Sequence, residues 1–464
     1  MPHTDEFAPE VEDFAPGDAG AFRPFVGGRW MDETPVVNEV IDPATGSVVA
    51  TGYDGDAGSA LAAVAAARAA FDDGPWATMS GSSRKDHLIR FLQALSTRRD
   101  LIAELVTTET GALPALASGF HVGIAMEHFA WAVDQADRDF LEPVSPYLGG
   151  PTLGSGVVIR EPCGVVAAIS AYNFPFYLNL AKLGPALATG NTVVLKPSPM
   201  TPLEAFVLAE AAQEADLPPG VLNIVSGDVE VSQAVTADPR TDVVSFTGSE
   251  RVGALIAAQA APNITRVLLE LGGKSALIVR SDADLEAAVD YTVRQITTQA
   301  GQGCALSTRQ LVHHTVYDEF VARLSEALAG VVTGNPRSAG VSMGPLIRES
   351  QVAKVENYVE QARAEGAEVV TGGRRTPDRG RGFFYDPTVL AGLNNSSRVA
   401  QEEIFGPVGV VIPFREDAEA IRIANDSPYG LGGHVYSADT KTAFDICRSI
   451  RSGYLAINGG AGGM

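Results

Sequence analysis

At 464 residues, with 45% hydrophobic and 19% charged content, the sequence is that of an ordinary globular protein too long for one compact core. A prior of about 150 residues per domain gives two or three domains. The net charge of −22 excludes surfaces that hold phosphate backbones or anionic lipid, which rely on clustered Lys and Arg, so neither nucleic acid nor a membrane is an expected partner. Three widely spaced cysteines, Cys163, Cys304 and Cys447, form no disulfide framework and no metal-ligand pattern, so no metal is expected. The first 20 residues are acidic and Pro/Gly-rich, a loose tail without the apolar run of a signal peptide, and with the reduced cysteines they predict a cytoplasmic protein.

In chain order, RPFVGGRWMDE and VVNEVIDPATGSVVATGYDG alternate β-branched runs with turn residues and predict a small strand-rich opening segment. Helical spacing follows in AGSALAAVAAARAAFD, SSRKDHLIRFLQALSTRRDLIAELVTTETG and FHVGIAMEHFAWAVDQADRDF. A hairpin-like, Pro/Gly-bounded segment near VSPYLGGPTLGSGVVIRE comes next. From 160 to 270 strands and helices alternate, beginning GVVAAIS, NLAKLGPALATG, TVVLK, PLEAFVLAEAAQEA and ending DVVSFTG, a helix, then RVLLELG. A second alternation runs from about 282 to 455 through DLEAAVDYTVRQITTQA, TRQLVHHTV and VGVVIPF. Alternation of this kind predicts α/β architecture, with two parallel sheets each covered by helices on both faces and joined near Glu270.

Parallel sheets bind ligands at the carboxyl ends of their strands. No G-x-G-x-x-G opens a helix here, and the nearest substitute is FTGSERVG, residues 246–253, where Gly248-Ser249 either caps a helix or presents its first N–H groups to a pyrophosphate. LGGKS resembles the end of a phosphate-binding P-loop, but Leu268 stands where that motif needs glycine, which excludes it. Lys196 ends an apolar strand before a proline, as a solvated lysine or as a donor to ribose or phosphate. Cys304, in TTQAGQGCALSTR, has glycines and small polar neighbours in place of the bulky ones a packed thiol prefers; a working thiolate also needs a positive environment or a base. Cys163 and Cys447 read as packing residues. None of the seven histidines sits in a setting that advertises catalysis, whereas Glu270 ends the apolar run VLLE before two glycines. Burial there would raise its pKa toward the range of a general base; the alternative is a strand-end acid capping a helix.

Taken together, PCGVVAAISAYNFPF, NTVVLKPSPMTP, VSFTGSERVG, LLELGGKSALIV, GQGCALSTR, MGPLI, QEEIFGPVGVVIPF and NDSPYGLGG resemble the NAD(P)-dependent aldehyde dehydrogenase superfamily, in order and spacing, from about Phe25 to Asn458. The resemblance implies two Rossmann-like doubly wound parallel-sheet domains, one cofactor-binding (21–140 and 160–269) and one catalytic (270–458), with an oligomerisation hairpin at 141–159. It implies oxidation of an aldehyde to a carboxylic acid. Cys304 stands at the nucleophile position, Asn173 at the oxyanion position, Glu270 at that of the deacylating base and Lys182 at a lysine supporting it. Cofactor positions fall on Lys196, Gly248, Ser249, Gly253, Leu271, Glu403 and Phe405. NAD is favoured and NADP admitted, because Pro199 replaces a glutamate that accepts from the adenosine ribose. Tyr172 replaces a tryptophan beside the oxyanion asparagine. A homodimer or homotetramer is implied, although 459–464 end before the family's last oligomerisation strand, so the chain is expected to be a fragment or to assemble differently. A cysteine-dependent ester or thioester hydrolase is the competing reading, and it has no use for Lys196 or Glu403.

Overall fold

The computed structural model describes residues 22–32, 36–138, 141–377 and 380–459. The expected acidic tail and the end of the chain at 460–464 lie outside the described residues. The chain divides into two compact units: one takes the residues up to Ile41, Val48–Val106 and Leu116–Glu270, the other Asp42–Ser47, Thr107–Ala115 and everything from Leu271 on.

The first unit is built on a seven-stranded sheet. Its parallel part runs Arg266–Glu270, Val243–Thr247, Val165–Ile169, Thr192–Lys196, Leu222–Ile224, and the antiparallel pair Phe25–Val26 and Arg29–Trp30 closes the far edge. The central strands Val165–Ile169 and Thr192–Lys196 are buried at every position, which is why they read as continuous apolar runs. Arg266–Glu270 is the outermost strand and is largely exposed, with Val267 and Leu268 open to solvent. Helix Ala57–Asp72 starts on a capping box between Asp56 and Ser59. The long helical run near 81–110 divides at 97–98 into Gly81–Ser96 and Arg99–Thr110. The hairpin Leu141–Gly149 with Thr152–Ile159 is antiparallel and exposes its apolar side chains.

The second unit carries the order Glu368–Thr371, Thr388–Ala391, Val408–Phe414, Arg309–His313, Ala276–Val279, Gly432–Tyr436, Tyr454–Ile457, parallel except for the first pair. Apolar clusters cover the sheet, one built around Leu311, Val355, Val410 and Ile412, another around Leu277, Phe320, Leu324 and Val411. Helical spacing carries DLEAAVDYTVRQITTQA to Ala300, but the helix is Leu285–Thr297, and Gln299, Ala300 and Gly301 follow in left-handed backbone (φ 50°, 51° and 72°). For Gln and Ala that conformation costs about 1–2 kcal/mol each, so surrounding contacts must hold it.

Candidate active site

In the first unit the strand order reverses between Val165–Ile169 and Val243–Thr247: the chain goes from the first to Thr192–Lys196 on one side and later returns on the other. Ligands of doubly wound sheets bind outside the carboxyl ends at such a reversal. Asn173 lies in the turn after Val165–Ile169, buried, just before helix Pro175–Ala188. Gly248 and Ser249 follow Val243–Thr247, and Ser249 caps helix Glu250–Ala260, its hydroxyl accepting from Val252 N at 3.4 Å. The cap is therefore real, and it leaves the positive end of that helix at the reversal, where an anion is stabilised. Gly253 is buried in the same helix, its N–H donating to Ser249 O at 2.9 Å.

Lys196 is not a solvated lysine. It is buried at the carboxyl end of its strand, and burial pushes its pKa down to about 8 against the opposing pull of Asp54 and Asp228. Asp54 is itself buried and its pKa raised by that burial. Asn38 ties this corner together, donating from Nδ2 to Pro199 O at 2.8 Å and to Asp54 Oδ1 at 3.3 Å. The Asp54 carboxylate and the Asn38 amide near Lys196 were invisible in the sequence because they come from a distant part of the chain.

Lys182 is also buried; its Nζ donates to Ser245 Oγ at 3.1 Å, and burial lowers its pKa to about 8 while the Glu270 charge opposes the shift. The structure thus brings Lys182 and Glu270 within electrostatic reach. It corrects the reading of Glu270 itself: the residue ends an edge strand and is exposed, so the burial expected of it is missing. Its carbonyl accepts from Gly248 N at 3.0 Å, which joins it to the turn before helix Glu250–Ala260.

In the second unit the candidate residues gather at the amino ends of the parallel strands, contrary to the carboxyl-end rule. Leu271, half-buried, with Gly272 and Gly273 precedes Ala276–Val279; Cys304 precedes Arg309–His313; Glu403 and Phe405 precede Val408–Phe414. LGGKS runs into a strand and no helix follows it, which disposes of a P-loop on geometry as well. The two glycines are needed for close approach. A Cβ on Gly272 would stand 2.7 Å from Glu403 Oε2, and one on Gly273 would overlap the Cys304 carbonyl oxygen. Gly273 N donates to Glu403 Oε1 at 3.0 Å. Phe405 holds a left-handed backbone (φ 60°), and its carbonyl accepts from Gln351 Nε2 at 2.6 Å. With Cys304 as the expected nucleophile, Gly273→Ala is expected to displace its backbone and lower kcat by about 100-fold, since a shift of about 1 Å at a reacting group has that cost. Steady-state kinetics on protein with a parental circular dichroism spectrum checks it, and parental kcat would refute it.

Cys304 is a half-buried cysteine outside any disulfide, Cys447 is buried in the core as expected, and Cys163 is exposed with its Sγ 2.8 Å from Arg266 Nη1, so packing does not describe it. Lys274, in LGGKS, is a charged residue that no local sequence signal marks as buried. It is 1% exposed, its ammonium has no hydrogen-bond partner among the described residues, and burial lowers its pKa to about 7. Buried Arg309 donates to Asn395 Oδ1 at 2.7 Å and to the carbonyls of Ile423 and Ala424 at 2.8 and 2.9 Å, bracing the segment after Cys304. Among the described residues no group of three or more His, Cys, Asp or Glu side chains is placed to hold a metal ion, and no helix is long and apolar enough to cross a membrane.

Residues 30–464 match the model of the aldehyde dehydrogenase family. The chain is 39% identical over 442 residues to 3-succinoylsemialdehyde-pyridine dehydrogenase of a Pseudomonas species, covering 94% of this chain and 90% of that one. It is 37% identical to betaine aldehyde dehydrogenase of Bacillus subtilis, covering 94% of this chain and 89% of that one. Among solved structures, an aldehyde dehydrogenase of Mycobacterium tuberculosis complexed with NAD+ superposes with a TM-score of 0.91 at 41% identity, covering 94% of this chain and 90% of that one.

Proposed function

Because the chain belongs to the aldehyde dehydrogenase family, we propose that it oxidises an aldehyde to the carboxylic acid with NAD+, using Cys304 as nucleophile. The observation that carries this reading is the family match across residues 30–464 together with a half-buried Cys304 whose carbonyl approaches Gly273 too closely for any side chain there. The first unit suits a dinucleotide. A capped helix N-terminus stands at the strand reversal for the pyrophosphate, and the buried Lys196 ammonium, beside Asp54, offers donors to the adenosine ribose. Glu403, oriented by Gly273 N, is the acceptor we assign to the nicotinamide ribose, with Phe405 beside it in sequence for the ring. Leu271, Gly248, Ser249 and Gly253 complete the cofactor-side assignment.

The chain's own groups account for the rest. The Cys304 thiolate adds to the carbonyl carbon and forms a hemithioacetal, while the Asn173 amide and the Cys304 N–H donate to the oxyanion. Bound NAD+ supplies the acceptor for the hydride. Glu270 then takes a proton from the water that attacks the resulting thioester, releasing the acid and regenerating the thiolate. An exposed carboxylate suits that step because it meets water directly. Lys182 supports Glu270 through charge.

The test is formation of NADH or NADPH over aliphatic, aromatic and semialdehyde substrates, the last prompted by the semialdehyde-oxidising relative. Aldehyde-dependent NADH supports the reading. Turnover of an activated ester without nicotinamide, and no aldehyde oxidation, would replace it with the hydrolase. Parallel NADPH rates report what Pro199 does, since its side chain cannot accept from a ribose hydroxyl.

Lys196 adds a pH dependence. Its pKa of about 8 means the free protein carries the ammonium below that value and loses it above. An anionic dinucleotide favours the charged form, so NAD+ affinity is expected to fall as pH rises through about 8. Titration of Kd by protein fluorescence checks this, with Lys196→Met flattening the slope; an equal slope in the variant would remove Lys196 from the site.

The exposed apolar hairpin Leu141–Gly149 with Thr152–Ile159, where Tyr147 and Leu148 are each 72% exposed, is the surface by which we expect copies of the chain to associate. Light scattering that returns only monomer would count against it.

A further inference from the structure

Three buried side chains form a hydrogen-bonded chain that ends on the loop carrying Cys304. Ser307, fully buried, has its hydroxyl 2.8 Å from His434 Nδ1, and His434 Nε2 lies 2.5 Å from the Tyr291 hydroxyl. His434 is 4% exposed in strand Gly432–Tyr436, and Tyr291 is buried on helix Leu285–Thr297. The rings of Tyr436 and Tyr454 pack around them, 5.6 Å from Tyr291 and 5.9 Å from His434. Burial holds His434 neutral, with its pKa near 4, and pushes that of Tyr291 up. A neutral imidazole has one N–H and one lone pair, so both bonds form only with the chain pointing one way, Tyr to Ser or the reverse.

Apolar side chains of similar size would fill this space without desolvating three polar groups, so packing alone does not account for the trio. Its place along the chain does. Ser307 uses its remaining polar groups as well: N donates to Gln295 Oε1 at 2.8 Å, and O accepts from Gln310 Nε2 at 2.8 Å. On the other side of Cys304, Gln302 Oε1 accepts from Ile347 N at 3.1 Å and Nε2 donates to Gln299 O at 3.0 Å, holding the left-handed turn. Only residues 303–306 lie between these anchors, and the Cys304 carbonyl rests on Gly273.

We propose that Tyr291, His434 and Ser307 are positioning residues that set the conformation of the 303–306 loop and with it the reactivity of the Cys304 thiol, touching neither substrate nor cofactor. This rests on Cys304 being the nucleophile. The trio links a helix, an interior strand and the loop through directional bonds, which favour one conformation of the loop.

The experiment compares full-length His434→Leu, His434→Gln, Ser307→Ala and Tyr291→Phe. It measures kcat, KM for aldehyde, NAD+ Kd and the second-order rate of Cys304 alkylation by iodoacetamide, with the modified cysteine identified by mass spectrometry. His434→Leu and Ser307→Ala are expected to lower both kcat and alkylation rate by about 10- to 100-fold with NAD+ Kd within about twofold. His434→Gln, whose amide both donates and accepts, recovers a large part of the loss. The Ser307→Ala and Tyr291→Phe losses are expected to be less than additive when combined. If His434→Leu fails to fold, the two hydroxyl deletions carry the test. Parental kcat and alkylation rates in folded variants, or a Gln variant no better than Leu, would overturn the proposal. Because alkylation is read at Cys304 whether or not turnover occurs, and Cys304→Ala tests the nucleophile separately, failure of one reading is told from failure of the other.

Discussion

Cys304→Ala is expected to lose aldehyde-dependent NADH formation by about 10⁴-fold or more, the scale on which removal of a covalent nucleophile acts. The reason is that no second thiol is placed to substitute. Cys447 is buried in the core and Cys163 is an exposed residue against Arg266. NAD+ binding should persist, because the groups assigned to the adenosine and pyrophosphate, Lys196 and the Ser249-capped helix, belong to the first unit. Steady-state rates and NAD+ titration, run on the same preparation, separate loss of chemistry from loss of fold. Parental turnover in this variant would end the assignment of Cys304 and with it the thioester route.

Glu270→Gln is expected to behave differently. The variant keeps thiolate addition and oxidation but lacks the base for hydrolysis, so rapid mixing should show a burst of about one NADH per active site, followed by turnover slowed about 10²- to 10⁴-fold. Added hydroxylamine, a nucleophile that needs no general base, should restore part of the rate. Loss of the burst itself would place Glu270 before oxidation, and an unchanged steady state would remove it from the mechanism. Since Glu270 is exposed on an edge strand, the substitution buries nothing unsatisfied, and a large stability loss is not expected.

Much of this was legible in the sequence, and the pattern of what was not is informative. Strands buried on both faces, such as Thr192–Lys196, announce themselves as continuous apolar runs, and the helix Ala57–Asp72 follows from its spacing and its Asp56 cap. Those signals are local. Burial of Lys182 and Lys196 is not, because each depends on neighbours such as Ser245 or Asp54 that lie far along the chain. Glu270 failed in the opposite sense: its apolar neighbours suggested a buried strand, and sheet order made that strand an edge. The helix after Leu285 reads past its true end because Gln299 and Ala300 are compatible with helix by themselves; only contacts such as Gln299 Nε2 to Thr110 O at 3.2 Å hold them left-handed.

The sequence alone therefore determined the α/β alternation, the order of the motifs and the family, all properties of neighbouring residues or of their spacing. Tertiary structure alone decided which charges lose water, which glycines touch the Cys304 and Glu403 groups, and that His434 joins Ser307 to Tyr291. Those are properties of sheet order, which brings residues separated by more than a hundred positions within hydrogen-bond distance and leaves no periodic mark on the chain.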